Sequence, residues 1–155
     1  DDHPLKDNPQ QGDELFDVVD ENDQVLRQET RDVVHQENLL HRAAHMLVFN
    51  KKKEVFLQKR SRLKDNHPGV WDSSAAGHLN AGEGYESTAV RELEEELGIK
   101  GAEVQEVAVI PPSANTGWEF IRLYLARHDG AMRFASGFIE CWSEFDRLFA
   151  EKLAE

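Results

Sequence analysis

Apolar residues along the chain follow two spacings. Residues 14–20 carry Leu15, Phe16, Val18 and Val19, Asn22-Asp23 follows as a turn, and the pattern resumes at Val25, which predicts a β-hairpin. Residues 42–50 and 54–60 are β-rich runs joined by Asn50-Lys51-Lys52-Lys53 and predict a second hairpin. Residues 71–79 read as a short extended stretch ending in Gly77-His78. Two strands are expected at 103–110 and 118–127, and a shorter one at 132–135. Over 86–97 the spacing becomes helical and stops at Gly98. A C-terminal helix is expected at 143–153, with Phe145, Leu148, Phe149 and Leu153 on one face. Residues 31–40 fit neither pattern and stay open. Residues 61–70, with Asn66-His67-Pro68-Gly69, read as a loop, and 80–84 as a glycine-rich one. The polar stretch 1–13 reads as a flexible tail ahead of one domain over 14–155.

Chain length agrees with one domain. The 155 residues can bury a core without disulfides or a structural metal. Charge narrows the partners. Eighteen Lys and Arg against 30 Asp and Glu give a net charge of −12, which argues against nucleic-acid duplexes and against polybasic membrane attachment. Apolar runs such as Met46-Leu47-Val48-Phe49 are too short to span a bilayer. The single cysteine, Cys141, excludes an internal disulfide and favours a reducing, cytoplasmic setting. The chain opens Asp1-Asp2-His3 with no signal-peptide pattern, and a removed leader stays open.

The chemistry concentrates in residues 77–99, GHLNAGEGYESTAVRELEEELGI. With about 100° per residue and Glu92 at zero, Glu96 falls about 40° to one side and Glu95 about 60° to the other. Val90, Leu93 and Leu97 fall together on a neighbouring face suited to the core, and Glu94 points to solvent. A glutamate run is usually a solvated face. Here Glu92 and Glu96 repel at i,i+4, by roughly 0.2–0.5 kcal/mol, and Arg91 offsets part of this through Glu95. A hard divalent cation would turn the repulsion into binding, because Mg²⁺ takes a few carboxylate oxygens together with water and phosphate oxygens.

The flanking residues complete a pattern. Gly77, Glu83, Arg91, Glu92, Leu93, Glu95, Glu96, Gly98 and Ile99 match the signature G-x5-E-x7-R-E-U-x-E-E-x-G-U, U being aliphatic, and the chain resembles a Nudix hydrolase. The chance of all nine matches at average residue usage is below roughly one in a million. The resemblance implies an α/β fold, the Nudix α/β/α sandwich with a central mixed sheet. It implies hydrolysis of a diphosphate linkage in a nucleoside-diphosphate-type or related small molecule. It further implies that Glu92, Glu95 and Glu96 hold Mg²⁺ or Mn²⁺ with the carbonyl of Gly77, that Arg91 orients Glu92, that Glu83 braces the loop, and that Glu92 or Glu95 is the general base.

Substrate phosphates need positive partners beside so acidic a face. Lys59, Arg60, Arg62 and Lys64 are the candidates ahead of the signature, with a solvated basic loop as the alternative. His67-Pro68-Gly69-Val70-Trp71 and Ser74-Ala75-Ala76-Gly77-His78 resemble isopentenyl-diphosphate isomerase, a relative with the same fold. That likeness makes His78 and His41 candidate metal ligands, with His78 also able to touch substrate, and marks Glu119 as a substrate-binding or acidic site residue. The isomerase has a cysteine where this chain has Ala76, so the acid–base group for double-bond migration is missing. Glu119 and Glu140 are further candidates for an extra ligand or base, and Phe138 stands where relatives carry an acidic residue. His3, His35 and His128 read as structural, and His45 as core or pocket. At least two of Trp71, Trp118 and Trp142 read as packing. The N-terminal hairpin serves either a homodimer or the cover of the pocket. The remaining alternatives are a prenyl-diphosphate isomerase and a non-catalytic metabolite sensor.

Overall fold

The computed structural model describes residues 12–60, 71–130, 132 and 138–139. The C-terminal helix expected at 143–153, most of the strand expected at 132–135, and Arg62, Lys64, Glu140, Cys141 and Trp142 lie outside them.

The first hairpin forms as read. Strand β1 (Leu15–Val19) pairs antiparallel with β2 (Val25–Thr30), with a register shift between Val18 and Val19. Asp23 sits in its turn at φ 62°. The open stretch 31–40 begins as helix α1 (Arg31–Gln36), capped by the Thr30 hydroxyl, which accepts from Val33 N at 3.3 Å. Its β-branched Val33 and Val34 read equally well as strand, and the burial of Val34 against Phe16 and Val18 decides for the helix.

The main sheet is mixed. Strand β3 (His41–Phe49) lies parallel to β9 (Glu119–Arg127), and β8 (Val104–Ile110) runs antiparallel to β9 at one edge. Along the other edge of β3 two short strands follow one another: β4 (Val55–Phe56) and β7 (Ala75–His78). The buried Ser74 hydroxyl closes the junction by accepting from Val48 N at 2.7 Å and donating to Phe56 O. The single run expected over 54–60 is therefore broken. Its second half is β5 (Gln58–Arg60), which joins a separate sheet between β6 (Trp71–Asp72) and β10 (Phe138–Ile139). The strand expected from residue 118 starts one residue later, because Gly117 and Trp118 both take positive φ and turn the chain.

Helix α2 (Tyr85–Leu97) packs Ala89, Leu93 and Leu97 on Ala44, Met46, Val48, Phe120, Tyr124 and Ala126 of the sheet. Val90, expected in the core, is only partly buried, and Ala89 takes that place. Gly98 ends the helix in the left-handed region (φ 71°), its N–H on Glu94 O and that of Ile99 on Leu93 O. No helix among the described residues is long and apolar enough to cross a membrane.

Candidate active site

Two polar clusters meet at strand β7. One lies on α2. The Arg91 guanidinium grips Glu83 in bidentate fashion, Nε to Oε2 at 2.8 Å and Nη2 to Oε1 at 2.9 Å. Its Nη1 also donates to Glu92 Oε1 at 2.7 Å and Glu95 Oε2 at 3.1 Å. Burial disfavours the arginine charge, but the hydrogen bond to Glu83 and the charges of Glu92, Glu83 and Glu95 outweigh it and hold Arg91 protonated well above its ordinary range. Burial works against the Glu83 charge too, and the bonds from Arg91 and from Asn80 N prevail, so Glu83 sits below the ordinary carboxylate range.

Glu92 is 1% exposed, an unusual place for a glutamate. Its carboxylate lies over Gly77, where an added Cβ would come within 2.6 Å of Oε1, so the glycine is a steric requirement. Glu96 reaches the same strand, its Oε2 accepting from Ala76 N at 3.1 Å. Glu95 is about one-third exposed. Of the three carboxylates predicted to share a helix face, Glu92 and Glu96 meet β7 at Gly77 and Ala76, Glu95 joins Glu92 through Arg91, and Glu94 is exposed. An oxygen-rich donor set on a glycine cradle suits a hard divalent cation.

The second cluster is built from side chains that are distant in sequence. His41, on β3, and Glu119, on β9, stand opposite each other in the sheet register, and His78 comes from β7. His78 Nε2 lies 2.5 Å from Glu119 Oε2, so a proton bridges them, and His78 Nδ1 is left to accept from Arg31 Nη1 at 3.2 Å. His41 donates from Nδ1 to Leu39 O at 2.9 Å. Its buried Nε2 makes no hydrogen bond and faces Glu119 Oε2 at 3.5 Å. Burial opposes the Glu119 charge, yet the His41 and His78 rings beside it hold this carboxylate well below its ordinary range. His35, on α1, completes a trio: one ring nitrogen from each of His35, His41 and His78 lies within 4.8 Å of the others. His35 is exposed by surface area, yet loss of hydration within this cluster, then the charges of Arg31, His78 and His41, push it down to about 4, so it is neutral at physiological pH with a lone pair to offer. Phe16 roofs the group, stacked on His41 at 5.8 Å and on His78 at 5.0 Å.

The sequence reading placed His78, His41 and Glu119 here and missed Phe16, Arg31 and His35. Those three arrive on the hairpin and α1, and no spacing in the sequence flags them. Arg60 has only its backbone described, in β5. Trp118 is exposed at the rim.

Comparison with known proteins identifies the family and the fold. The NUDIX domain model matches residues 39–154. An uncharacterized Nudix hydrolase of Yersinia pestis is 38% identical over 102 residues, covering 66% of this chain and 56% of that protein. The chain thus spans about half the length of that relative. An isopentenyl-diphosphate Delta-isomerase of Serratia proteamaculans is 32% identical over 139 residues, covering 86% and 77%. Among solved structures, the DR0079 protein of Deinococcus radiodurans superposes with a TM-score of 0.67 at 26% identity, covering 88% of this chain and 90% of that one.

Proposed function

The chain belongs to the NUDIX domain family, and on that premise we propose that it hydrolyses a diphosphate linkage in a small molecule of the nucleoside-diphosphate type with the help of a divalent cation. The observation that carries this reading is Arg91 holding Glu83, Glu92 and Glu95 at 2.7–3.1 Å above the Gly77 cradle. Glu92, Glu95, Glu96 and the Gly77 carbonyl would hold Mg²⁺ or Mn²⁺. Bound there, the cation supplies polarisation of phosphoryl oxygens and activation of water. The residues do the rest. Arg91 fixes the rotamers of Glu92 and Glu95 and spreads their charge. Glu92 is sealed from solvent, whereas Glu95 reaches it, so Glu95 is the carboxylate able to take a proton from an attacking water. Arg60, Arg62 and Lys64 are proposed to meet substrate phosphates, and His78 and Glu119 to border the same space.

The test is phosphate release from a panel of nucleotide sugars, dinucleotides, nucleoside triphosphates and prenyl diphosphates with Mg²⁺ or Mn²⁺. Release should stop with EDTA. Glu96→Gln should lose about 100-fold in turnover while staying folded. Turnover unchanged by that substitution would remove the metal assignment.

A second reading, isomerisation of a prenyl diphosphate, is favoured by the histidine cluster and by the isomerase-named relatives. The methyl group of Ala76 cannot transfer a proton, and this weighs against it. Deuterium incorporation into a prenyl diphosphate without phosphate release would reverse the order of the two readings. In either case His35 and His41, each with a ring nitrogen within 4.8 Å of the other, offer nitrogen donors suited to a softer ion than Mg²⁺.

A further inference from the structure

The N-terminal hairpin precedes the matched family model, which begins at residue 39, yet it is hydrogen-bonded to the loop that leads into α2. Leu15 O accepts from Ala81 N at 2.8 Å. One pair along β1, Asp17 turns its carboxylate to the same loop, and Oδ2 accepts from Gly82 N at 2.9 Å. Asp17 is 7% exposed. Burying a carboxylate is costly unless it is hydrogen-bonded, and here the donor is the amide of a glycine at φ 83°, a conformation that other residues rarely adopt. The next residue is Glu83, which grips Arg91, which touches Glu92 and Glu95. From β1 to the helix the links are continuous: Asp17, Gly82, Glu83, Arg91, then the two carboxylates.

We propose that Asp17 is a positioning residue for the cation site, setting the 80–84 loop so that Glu83 can hold Arg91 in register with Glu92 and Glu95. The inference rests on the reading of those carboxylates as cation ligands. It assigns the hairpin a role in the chemistry rather than only in folding. Linkage gives it a second face: if loop placement raises cation affinity, cation binding must suppress loop opening by the same factor.

The test is Mn²⁺ binding to the full chain, followed by electron paramagnetic resonance or calorimetry and needing no substrate. Asp17→Ala should weaken Mn²⁺ binding roughly tenfold in protein that remains folded, and Asp17→Asn, whose carbonyl oxygen still accepts from Gly82 N, should restore it to within about twofold. A merely structural aspartate would lower Tm and leave the Mn²⁺ affinity of the folded protein alone, and that outcome overturns the proposal. Should Asp17→Ala not fold, the wild-type chain gives the answer: saturating Mg²⁺ should slow hydrogen exchange at the Gly82 amide about tenfold, and an unmoved rate overturns the proposal. If wild type binds no Mn²⁺ at all, the carboxylate site itself has failed. If wild type and Asp17→Ala bind it equally, only the role of Asp17 has.

Discussion

The glutamate cluster and the histidine cluster share strand β7, where His78 offers its carbonyl to Arg91 at 3.4 Å and its ring to Glu119. They are assembled in opposite ways. The first comes from 23 consecutive residues, a loop and one helix, and its geometry follows from helical periodicity and one arginine. The second needs β1, α1, β3, β7 and β9 brought together, with members up to 103 residues apart in sequence (Phe16 and Glu119). A contiguous site is set by local structure, so disturbing the hairpin should strain it only through the 80–84 loop. A dispersed site has no such reserve, and loss of any one element opens it.

The largest effect expected from this contrast is at Arg91. Arg91→Ala leaves the buried Glu92 beside Glu83 and Glu95 with no guanidinium among them. The cost is about 3–5 kcal/mol, with turnover falling beyond measurement. Calorimetric Tm and phosphate release check both. Arg91→Lys should recover little, because an ammonium cannot hold Glu83 bidentately while reaching Glu92 and Glu95. A Tm within a few degrees of wild type in Arg91→Ala would mean that the glutamate cluster is not organised around this residue.

The same contrast explains what could be read in the sequence. The grouping of Glu92, Glu95 and Glu96 was legible because 100° per residue fixes it, and Gly98 marked the helix end. That Glu92 is buried was not legible, since only the packing of α2 on β7 shows that its carboxylate lies over Gly77. The strand order of the main sheet was likewise hidden. Apolar runs at 42–50, 103–110 and 118–127 announce strands, but not that β3 pairs parallel with β9. The break of 54–60 between two sheets turns on Leu57 and on the Ser74 hydroxyl, neither of which stands out in an unbroken β-rich run. His35 reads as structural in the sequence because a single histidine is more often an ordinary surface or hydrogen-bonded residue than a ligand. Its chemistry appears only when β1 and α1 fold against His41 and His78.

A smaller effect isolates the dispersed site. His35 is exposed, so His35→Ala should leave Tm within about 2 °C of wild type. Co²⁺ added to wild type should give the visible absorption of nitrogen ligation, and that band should fall at least tenfold in His35→Ala, with Mn²⁺ still bound at the glutamate helix. Loss of both ions together would show that the clusters form one site, and an unchanged Co²⁺ band would take His35 out of the ligand set.

The smallest expected effect concerns acid stability, and it separates the clusters by the kind of partner each carboxylate has. Glu83 is held by a guanidinium that stays charged at every relevant pH, so its own proton is the one that titrates. Its native-state value lies below the ordinary 4.5. The ionised carboxylate therefore adds stability that is fully present above that ordinary value and is lost as pH falls below it toward the depressed native one. Glu83 is about one-quarter exposed, so solvent screens the pair and the contribution is on the order of 1 kcal/mol. Urea midpoints of wild type and Glu83→Gln should differ at about pH 7 and converge as the pH is lowered below the ordinary 4.5. A gap that stays constant across that window would mean that the ion pair adds nothing to it, since a glutamine still accepts from Asn80 N.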